Sequence, residues 1–286
     1  MALFRWRGDG AGTKTDWDDG RNWIDATGAA YAQAVYPGAT PGTADDALFD
    51  AALTGTQQAM TGYDGSALEK LASLRVSADY DGVFGDVALP LTIPATLAIV
   101  DAEAVSGTAY LEGAMIDTLL VTAGTINLQG DVLNAYILKG TVTATCAWGM
   151  GGTLVVGYEA LSSDASLTIP AGTGSVPTEP VRVFAGALVA GVDIPQLVLS
   201  AGTASLGAGC SIEALVTGGI LTWAGGDIDT CTLLGGSMLT TVRTPQTVAK
   251  LTVGRGAVAN LDNGVGNITV TDSLNLGGTI TYAVGV

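Results

Sequence analysis

Paired carboxylates are the residues of this chain whose type and spacing best suit chemistry. Acids two apart on a β-strand share one face and can approach the separation of about 5 to 9 Å used in glycoside hydrolysis. The candidate pairs are Asp101 with Glu103, Asp227 with Asp229, and Asp45 with Asp46. Asp227 and Asp229 lie beside a Gly-Gly turn, where aspartate is a common turn residue. A polysaccharide groove would also need more exposed aromatic and arginine side chains, so we predict a protein that is not an enzyme and assign no catalytic residue.

Metal and cofactor chemistry has little support in the sequence. The chain has no histidine, which removes Ser-His-Asp and Cys-His catalysis and the commonest transition-metal ligand. The acidic run 16–20, DWDDG, and the GDG at 8–10 offer oxygen atoms suited to Ca²⁺, but the bidentate glutamate of an EF-hand loop is missing. Aspartates in turns explain these runs without a metal. We therefore predict no metal and no cofactor, with Ca²⁺ left as the open alternative.

The three cysteines, Cys146, Cys210 and Cys231, lack the CxxC spacing of redox and zinc sites. Each lies among small apolar residues, where cysteine acts as a compact hydrophobic side chain. We predict buried structural thiols, with Cys210 and Cys231 stacked in neighbouring coils, and no disulfide framework.

A glycine repeat predicts the elements that position these residues. Glycines that open small-residue turns recur at intervals of 17 and 16 residues in two series, followed by looser repeats. The series are Gly107, Gly124 and Gly140, then Gly202, Gly219 and Gly235, with Gly256 and Gly278 beyond them. Self-similarity at such a period is typical of solenoids.

Strand-like alternation between the glycines completes the fold prediction. Apolar residues at alternate positions include Leu119 with Val121, Leu197 with Leu199, and Leu251 with Val253. We predict an all-β chain, a parallel β-helix (β-solenoid) with about 16–20 residues and two or three strands per coil. A narrow interior of Val, Ile, Leu, Ala and Thr would explain why 48% of residues are hydrophobic but only 6% aromatic.

Charge and hydropathy narrow the set of partners. With 11 basic and 27 acidic residues the formal charge is −16, which predicts no binding to nucleic acid or to anionic lipid. Gly, Thr and Asp interrupt every apolar run, so no membrane-spanning helix is predicted. The opening MALFRWRGDG lacks the apolar region of a secretory signal, which predicts a mature or unsecreted product.

Residues 1–50 differ in texture from residues 51–286, and we predict an N-terminal cap or anchoring segment followed by a solenoid body. Aromatic, turn-forming and basic side chains make up the cap and anchor candidates, which are Arg5, Trp6, Arg7, Trp17, Asn22, Trp23, Pro37 and Phe49. Bulky side chains there would cover the raw edge of the first coil. Arg5, Arg7, Lys14 and Arg21 could instead dock on an acidic partner, and a sugar-binding aromatic platform is a further alternative.

The N-terminal segment also carries a family resemblance. Its W-x-x-x-x-N-W element, Pro-Gly turns and acidic-apolar strand are formed by Trp17, Asn22, Trp23, Pro37, Gly38, Pro41, Gly42, Asp45, Asp46 and Phe49. This pattern resembles the opening of surface β-helix proteins, as in autotransporter-like passenger domains and some bacteriophage virion proteins, and covers about one sixth of the chain. The resemblance implies a structural protein on the surface of a virion, made in the host cytoplasm.

The last residues, GGTITYAVGV, alternate like a strand and include no charged stop or aromatic plug. We expect another copy or another protein to cover this coil, and predict a homotrimer. The functional prediction is a capsid decoration protein or a short head or tail fibre that binds a major capsid protein or another virion protein. The alternatives are a secreted or surface adhesin and a glycan-binding spike, so a glycan ligand stays open.

Overall fold

A computed structural model describes residues 2–7, 16–40, 45–50, 71–76, 83–84, 91–93, 99–104, 108–122, 124–144, 152–158, 164–171, 179–207, 212–224, 226–241, 246–262 and 268–282. The secondary structure in these ranges is β-strand apart from one 3-10 turn, Gly20–Asn22. No helix among them is long and apolar enough to cross a bilayer. The chain divides into two compact units, Met1–Cys146 and Ala147–Val286.

The first unit contains ten strands: β1 (Leu3–Trp6), β2 (Trp23–Ile24), β3 (Asp45–Phe49), β4 (Leu71–Val76), β5 (Val83–Phe84), β6 (Leu91–Ile93), β7 (Ile99–Ala104), β8 (Thr108–Val121), β9 (Thr125–Ile137) and β10 (Gly140–Ala144). Strand β1 pairs antiparallel with β2 and parallel with β3. Parallel pairing then continues from β3 through β4, β7 and β8 to β9. The first fifty residues therefore share one continuous sheet with the following coils.

Strands β8 and β9 each run through a corner of the solenoid and so contribute to two sheets. Their pairing is parallel throughout, with a register shift between Gly113 and Ile116 that marks the corner. The halves that precede the corner pair with β5, β6 and β10, whereas the half of β8 that follows it pairs with β7. Leu119 and Val121 are fully buried, as the alternation predicted.

The second unit contains fourteen strands: β11 (Leu154–Val156), β12 (Ala165–Ile169), β13 (Val181–Val183), β14 (Ala187–Ala190), β15 (Gln196–Leu199), β16 (Thr203–Leu206), β17 (Ile212–Val216), β18 (Ile220–Trp223), β19 (Asp227–Leu233), β20 (Met238–Thr241), β21 (Gln246–Gly254), β22 (Val258–Leu261), β23 (Ile268–Leu276) and β24 (Thr279–Tyr282). Odd-numbered strands pair only with odd-numbered ones in this unit, and even with even, always in parallel. Each coil thus gives one strand to an odd sheet and one to an even sheet. The predicted parallel β-solenoid is confirmed.

The coil of the second unit grows toward its C-terminal end. Sixteen residues separate the paired positions Leu188 and Ala204, whereas 21 separate Ala259 and Ile280. The even strands from β14 to β24 keep a constant length of four residues. The odd strands lengthen from four residues in β15 to nine in β21 and β23. The added residues therefore lie outside the even strands.

Glycine forms the corner that leads from the odd sheet to the even sheet. Gly186, Gly202 and Gly219 follow one another in successive coils with φ between 79° and 88°, a region that side chains with a Cβ rarely adopt. The Gly186 carbonyl accepts a hydrogen bond from Thr203 N at 2.8 Å, and the Gly202 carbonyl accepts one from Ile220 N at 3.0 Å. A Cβ on Gly202 would collide with the Gly186 carbonyl oxygen. Both the dihedral angle and the close stacking therefore require glycine.

Six of the eight predicted turn glycines adopt this left-handed conformation: Gly124, Gly140, Gly202, Gly219, Gly235 and Gly256. The prediction for Gly278 is wrong by one residue, because Gly277, with φ 96°, makes the turn. Gly107 lies outside the described residues.

The interior of the second unit is apolar and ordered in columns. Leu199, Val216, Leu233 and Val253 occupy matching positions in four successive odd strands, and all are fully buried. The expectation of an interior without aromatic residues fails at Trp223, which is also fully buried, between its register neighbours Leu206 and Thr241.

Candidate functional site

The N-terminal cap is built around Trp23. Its ring lies edge-on to Trp6, Trp17 and Phe49, with centroid distances of 5.0, 4.8 and 5.5 Å. Edge-to-face packing suits the ring quadrupole and adds roughly 0.5 to 1.5 kcal/mol per pair beyond burial. All four rings are at most 3% exposed. The aromatic cluster is therefore an internal core of the N-terminal segment.

Hydrogen bonds fix the turn that carries the W-x-x-x-x-N-W element. The Trp23 indole Nε1 donates to the Trp17 carbonyl at 2.8 Å, and the Trp17 indole Nε1 donates to the Pro37 carbonyl at 3.1 Å. The Asn22 side-chain amide donates to the Asp16 carbonyl at 2.9 Å. The buried indole N–H groups thus hold together backbone segments that are distant in sequence.

The Pro-Gly turn at 37–38 closes as its residue types predict. Ala39 N donates to the Tyr36 carbonyl at 3.1 Å, and Gly38 has φ 81°. These are the features of a type II turn, with proline second and glycine third. The Pro-Gly pair at 41–42 lies outside the described residues.

Aspartates neutralise the basic residues of the cap. Arg5 Nε lies 2.7 Å from the Asp50 carboxylate, and Arg21 Nη2 lies 2.6 Å from that of Asp19. The Asp19 carboxylate raises the pKa of Arg21, chiefly through this side-chain hydrogen bond. Arg7 is half-buried, and its backbone N–H donates to the Asn22 carbonyl at 2.8 Å. These contacts favour the interpretation as a polar cap over docking of Arg5 and Arg21 on an acidic partner.

The eight candidates therefore separate into two groups. Trp6, Trp17, Asn22, Trp23, Pro37 and Phe49 are buried, whereas Arg5 and Arg7 are only half-buried. Any direct contact with a particle would fall to the two arginines and to exposed residues that the sequence did not single out. The anchoring role stays a prediction.

The carboxylate pairs do not assemble into one site among the described side chains. Asp45 is buried and accepts hydrogen bonds from Ala2 N and Gly38 N, both at 3.2 Å. Its neighbour Asp46 accepts a hydrogen bond from the Ser73 hydroxyl at 2.6 Å. These carboxylates hold the cap to its neighbours. The side chains of Asp101 and Glu103 lie outside those that the structure describes.

Asp227 and Asp229 are exposed on β19, on either side of the buried Ile228. The pairing with β17 passes directly from Ile212 opposite Ile228 to Glu213 opposite Thr230, so Asp229 is an extra residue in the ladder. An inserted residue of this kind is a β-bulge, where the strand bends.

Among the described residues, no group of three or more histidine, cysteine, aspartate or glutamate side chains is arranged to hold a metal ion. Part of the candidate Ca²⁺ segment, residues 8–10, lies outside them. The Asp19 carboxylate of the DWDDG run is bound by Arg21 through both oxygens.

Cys231 is the cysteine that the structure describes, and it is a fully buried free thiol. Burial raises its pKa to about 12. Its register neighbours are Ala214 and Leu251, so the predicted stacking on Cys210 is wrong for the strand positions that contact Cys231. Cys146 and Cys210 themselves lie outside the described residues.

A shallow groove of about 490 Å³ runs over the outer side of the odd sheet. A polar row, Gln196, Glu213 and Thr230, lies beside an apolar row that includes Val198 and Leu215. Gln196 Nε2 donates to Glu213 Oε2 at 3.3 Å. Amide, carboxylate and hydroxyl groups beside aliphatic surface are suited to a polar ligand with apolar edges, such as a glycan.

The outer side of the even sheet has a different character, because none of its described outward residues is charged. We call this surface the uncharged face, and it consists of Ser166, Thr168, Ala187, Val189, Thr203, Ser205, Ile220, Thr222, Met238, Val258, Asn260, Thr279 and Thr281. The odd sheet of the same unit bears Arg182, Glu213, Lys250 and Asp272 on its outer side. The charges of the second unit are thus segregated between its two sheets.

Fold and site together define the class as a β-solenoid protein with an N-terminal cap of packed aromatic rings. No family model, curated protein or solved structure matches this chain.

Proposed function

We propose that this chain is a non-enzymatic structural protein of a bacteriophage particle, either a capsid decoration protein or a short head or tail fibre. It would be made in the host cytoplasm, bind a major capsid protein or another virion protein, and self-associate as a homotrimer. The proposal includes no binding to nucleic acid or to a membrane, in keeping with the charge of −16.

The observation that carries the proposal is the combination of a register-locked stack with a sealed aromatic cap. In the second unit the odd and even strands pair in parallel, coil after coil, around a buried apolar interior. Such a stack gains stability from each neighbouring coil and is stiff along its axis. A function in shape and surface suits it better than catalysis, since the described carboxylates do not converge. The virion setting comes from the N-terminal resemblance.

Immunogold labelling of particles from the source of the sequence tests this proposal. Antibodies raised against the chain should label phage heads or tails at regular positions, and the chain should co-sediment with them. Label on the bacterial surface, with none on particles, would replace the proposal with the adhesin alternative.

The groove on the odd sheet favours one second candidate, a glycan-binding spike or adhesin. Glu213 and Thr230 offer hydrogen-bonding groups beside Leu215. A glycan array with the full chain should then give hits that Glu213→Gln weakens. The matched control is Asp272→Asn, because Asp272 lies further along the same row but outside the groove. An array without hits, or equal binding by both variants, removes this candidate.

A further inference from the structure

We propose that the uncharged face of the second unit is a self-association surface, and that its partner is the same face of a second copy of this chain. The inference deepens the structural role proposed above and rests on it, since a particle protein of this kind is expected to assemble. It adds the surface and the partner, neither of which the sequence alone indicated.

The first argument is electrostatic. Each copy carries a formal charge of −16, so two copies repel unless they meet where charge is absent. The uncharged face provides such a place, across seven strands from β12 to β24. The outer side of the odd sheet carries charges of both signs, including Glu213 and Lys250. A basic partner would have no electrostatic reason to prefer the uncharged face.

The second argument is the apolar exposure on this face. Val189 and Ile220 are 45% and 41% exposed, on β14 and β18, near the middle of the sheet. Threonine and serine surround them and supply hydroxyl groups that can pair across a contact. An apolar centre with a neutral polar surround is the usual composition of an interface core.

The third argument concerns size. Strands about 4.8 Å apart and a rise of about 3.3 Å per residue give the face roughly 29 Å by 13 Å, or about 380 Å² of plane. An interface of this area lies at the low end of the range for specific complexes. We therefore expect association that depends on concentration, and a dimer, because an isologous face joins two copies.

Sedimentation of the full chain from about 1 to 300 μM provides the test, and this range covers the affinities of small interfaces. The expected result is a monomer–dimer equilibrium whose dimer fraction rises between 0.1 and 1 M NaCl, because salt shortens the screening length from about 10 to about 3 Å. A monomer at every concentration would overturn the inference. Association that weakens with salt would also overturn it, since ion pairs would then be the contact.

Charge variants locate the surface. Val189→Glu combined with Ile220→Glu should abolish the dimer, while Ala249→Glu combined with Thr252→Glu, on β21 of the odd sheet, should leave it unchanged. Mixing the Val189→Glu and Ile220→Glu variant with a Val189→Lys and Ile220→Lys variant should restore a dimer that neither forms alone. Circular dichroism confirms the fold of each variant.

The same charge variants separate this inference from the proposed function. If the face variant keeps its dimer, or if the chain forms a trimer that the variant does not disturb, the uncharged face is not the contact. Particle labelling is measured independently. Label on particles together with an unaffected oligomer overturns only the surface assignment, whereas a face-dependent dimer without label overturns only the virion role.

Discussion

The indole of Trp23 lies edge-on to the ring of Trp17 at 4.8 Å and donates its N–H to the backbone carbonyl of that same residue at 2.8 Å. One residue thus supplies a ring contact and a hydrogen-bond acceptor to the other. Both interactions are buried, so the pair couples the packing of the cap to the path of its backbone.

Trp23→Ala should lower the free energy of unfolding of the cap by about 3 to 5 kcal/mol, because it removes a fully buried ring. Trp23→Phe keeps a ring but loses the donor to the Trp17 carbonyl, and should cost about 1 to 3 kcal/mol. Hydrogen exchange of the β1 and β3 amides measures both. The control is Val35→Ala, since Val35 is 40% exposed. Equal protection in Trp23→Ala and the control would contradict the central role of Trp23.

Gly202→Ala should destabilise the second unit through two separate effects. A non-glycine residue at φ 80° costs about 1 to 3 kcal/mol, and the new Cβ also collides with the Gly186 carbonyl. Gly28→Ala isolates the first effect, because Gly28 has φ 86° and open space around it. Urea unfolding of both variants measures the difference.

Gly236→Ala is the matched control for these glycine variants. Gly236 lies in the same kind of corner, adopts no left-handed conformation, and has nothing near its missing Cβ. Its substitution should be close to neutral. A similar loss in Gly202→Ala and Gly236→Ala would show that the stacking of the corners is not what selects glycine.

Leu199→Ala should cost about 2 to 5 kcal/mol, since Leu199 is fully buried in a column of stacked side chains. Leu215→Ala removes the same atoms from the opposite side of the odd sheet, where 38% of the residue is exposed, and should cost less than half as much. Chemical denaturation of the two variants makes the comparison. A larger effect at Leu215 would contradict the assignment of the inner and outer sides.

The Cys231 thiol should resist alkylation at pH 8 in the folded protein and react only after unfolding, because it is buried and its pKa is raised to about 12. Peptide mapping after iodoacetamide treatment identifies the modified cysteine. Rapid modification of Cys231 without denaturant would contradict its buried position.

The raised pKa of Cys231 also predicts how stability changes with pH. Below about pH 8.5 the thiol is protonated in both states, so its contribution is constant. Above that pH the unfolded thiol ionises while the folded one stays protonated up to about pH 12, which favours unfolding. Stability should therefore fall between these values by up to about 1.4 kcal/mol per pH unit from this group. Cys231→Ala should show a smaller loss over the same range.

The fold was predictable because the turn glycines and the alternating strands are both local signals. Within a Gly-Gly pair, however, the sequence does not say which member makes the turn. Gly219 is the second of its pair, whereas Gly235 and Gly277 are the first of theirs. Gly157 and Gly186 were missed because the coils around them are longer, with 27 residues between the paired Val155 and Arg182.

The site was less predictable, because it depends on contacts between distant residues. The sequence indicated an aromatic cap, but the packing of Trp23 against Phe49 needs the tertiary fold. The uncharged face was missed although a signal existed. Once the coils are aligned on their glycines, the alternate positions after each turn lack charge, as Thr203 with Ser205 and Ile220 with Thr222 show.

The unequal growth of the two sheets makes this protein a tolerant host for foreign sequence. Even strands stay four residues long from β14 to β24 while the spacing of paired positions rises from 16 to 21 residues. Length has therefore been added without disturbing the even sheet. Peptides inserted between β20 and β21 should be carried at the surface of an intact stack, so the chain offers a scaffold on which epitopes can be displayed at chosen levels along a rod.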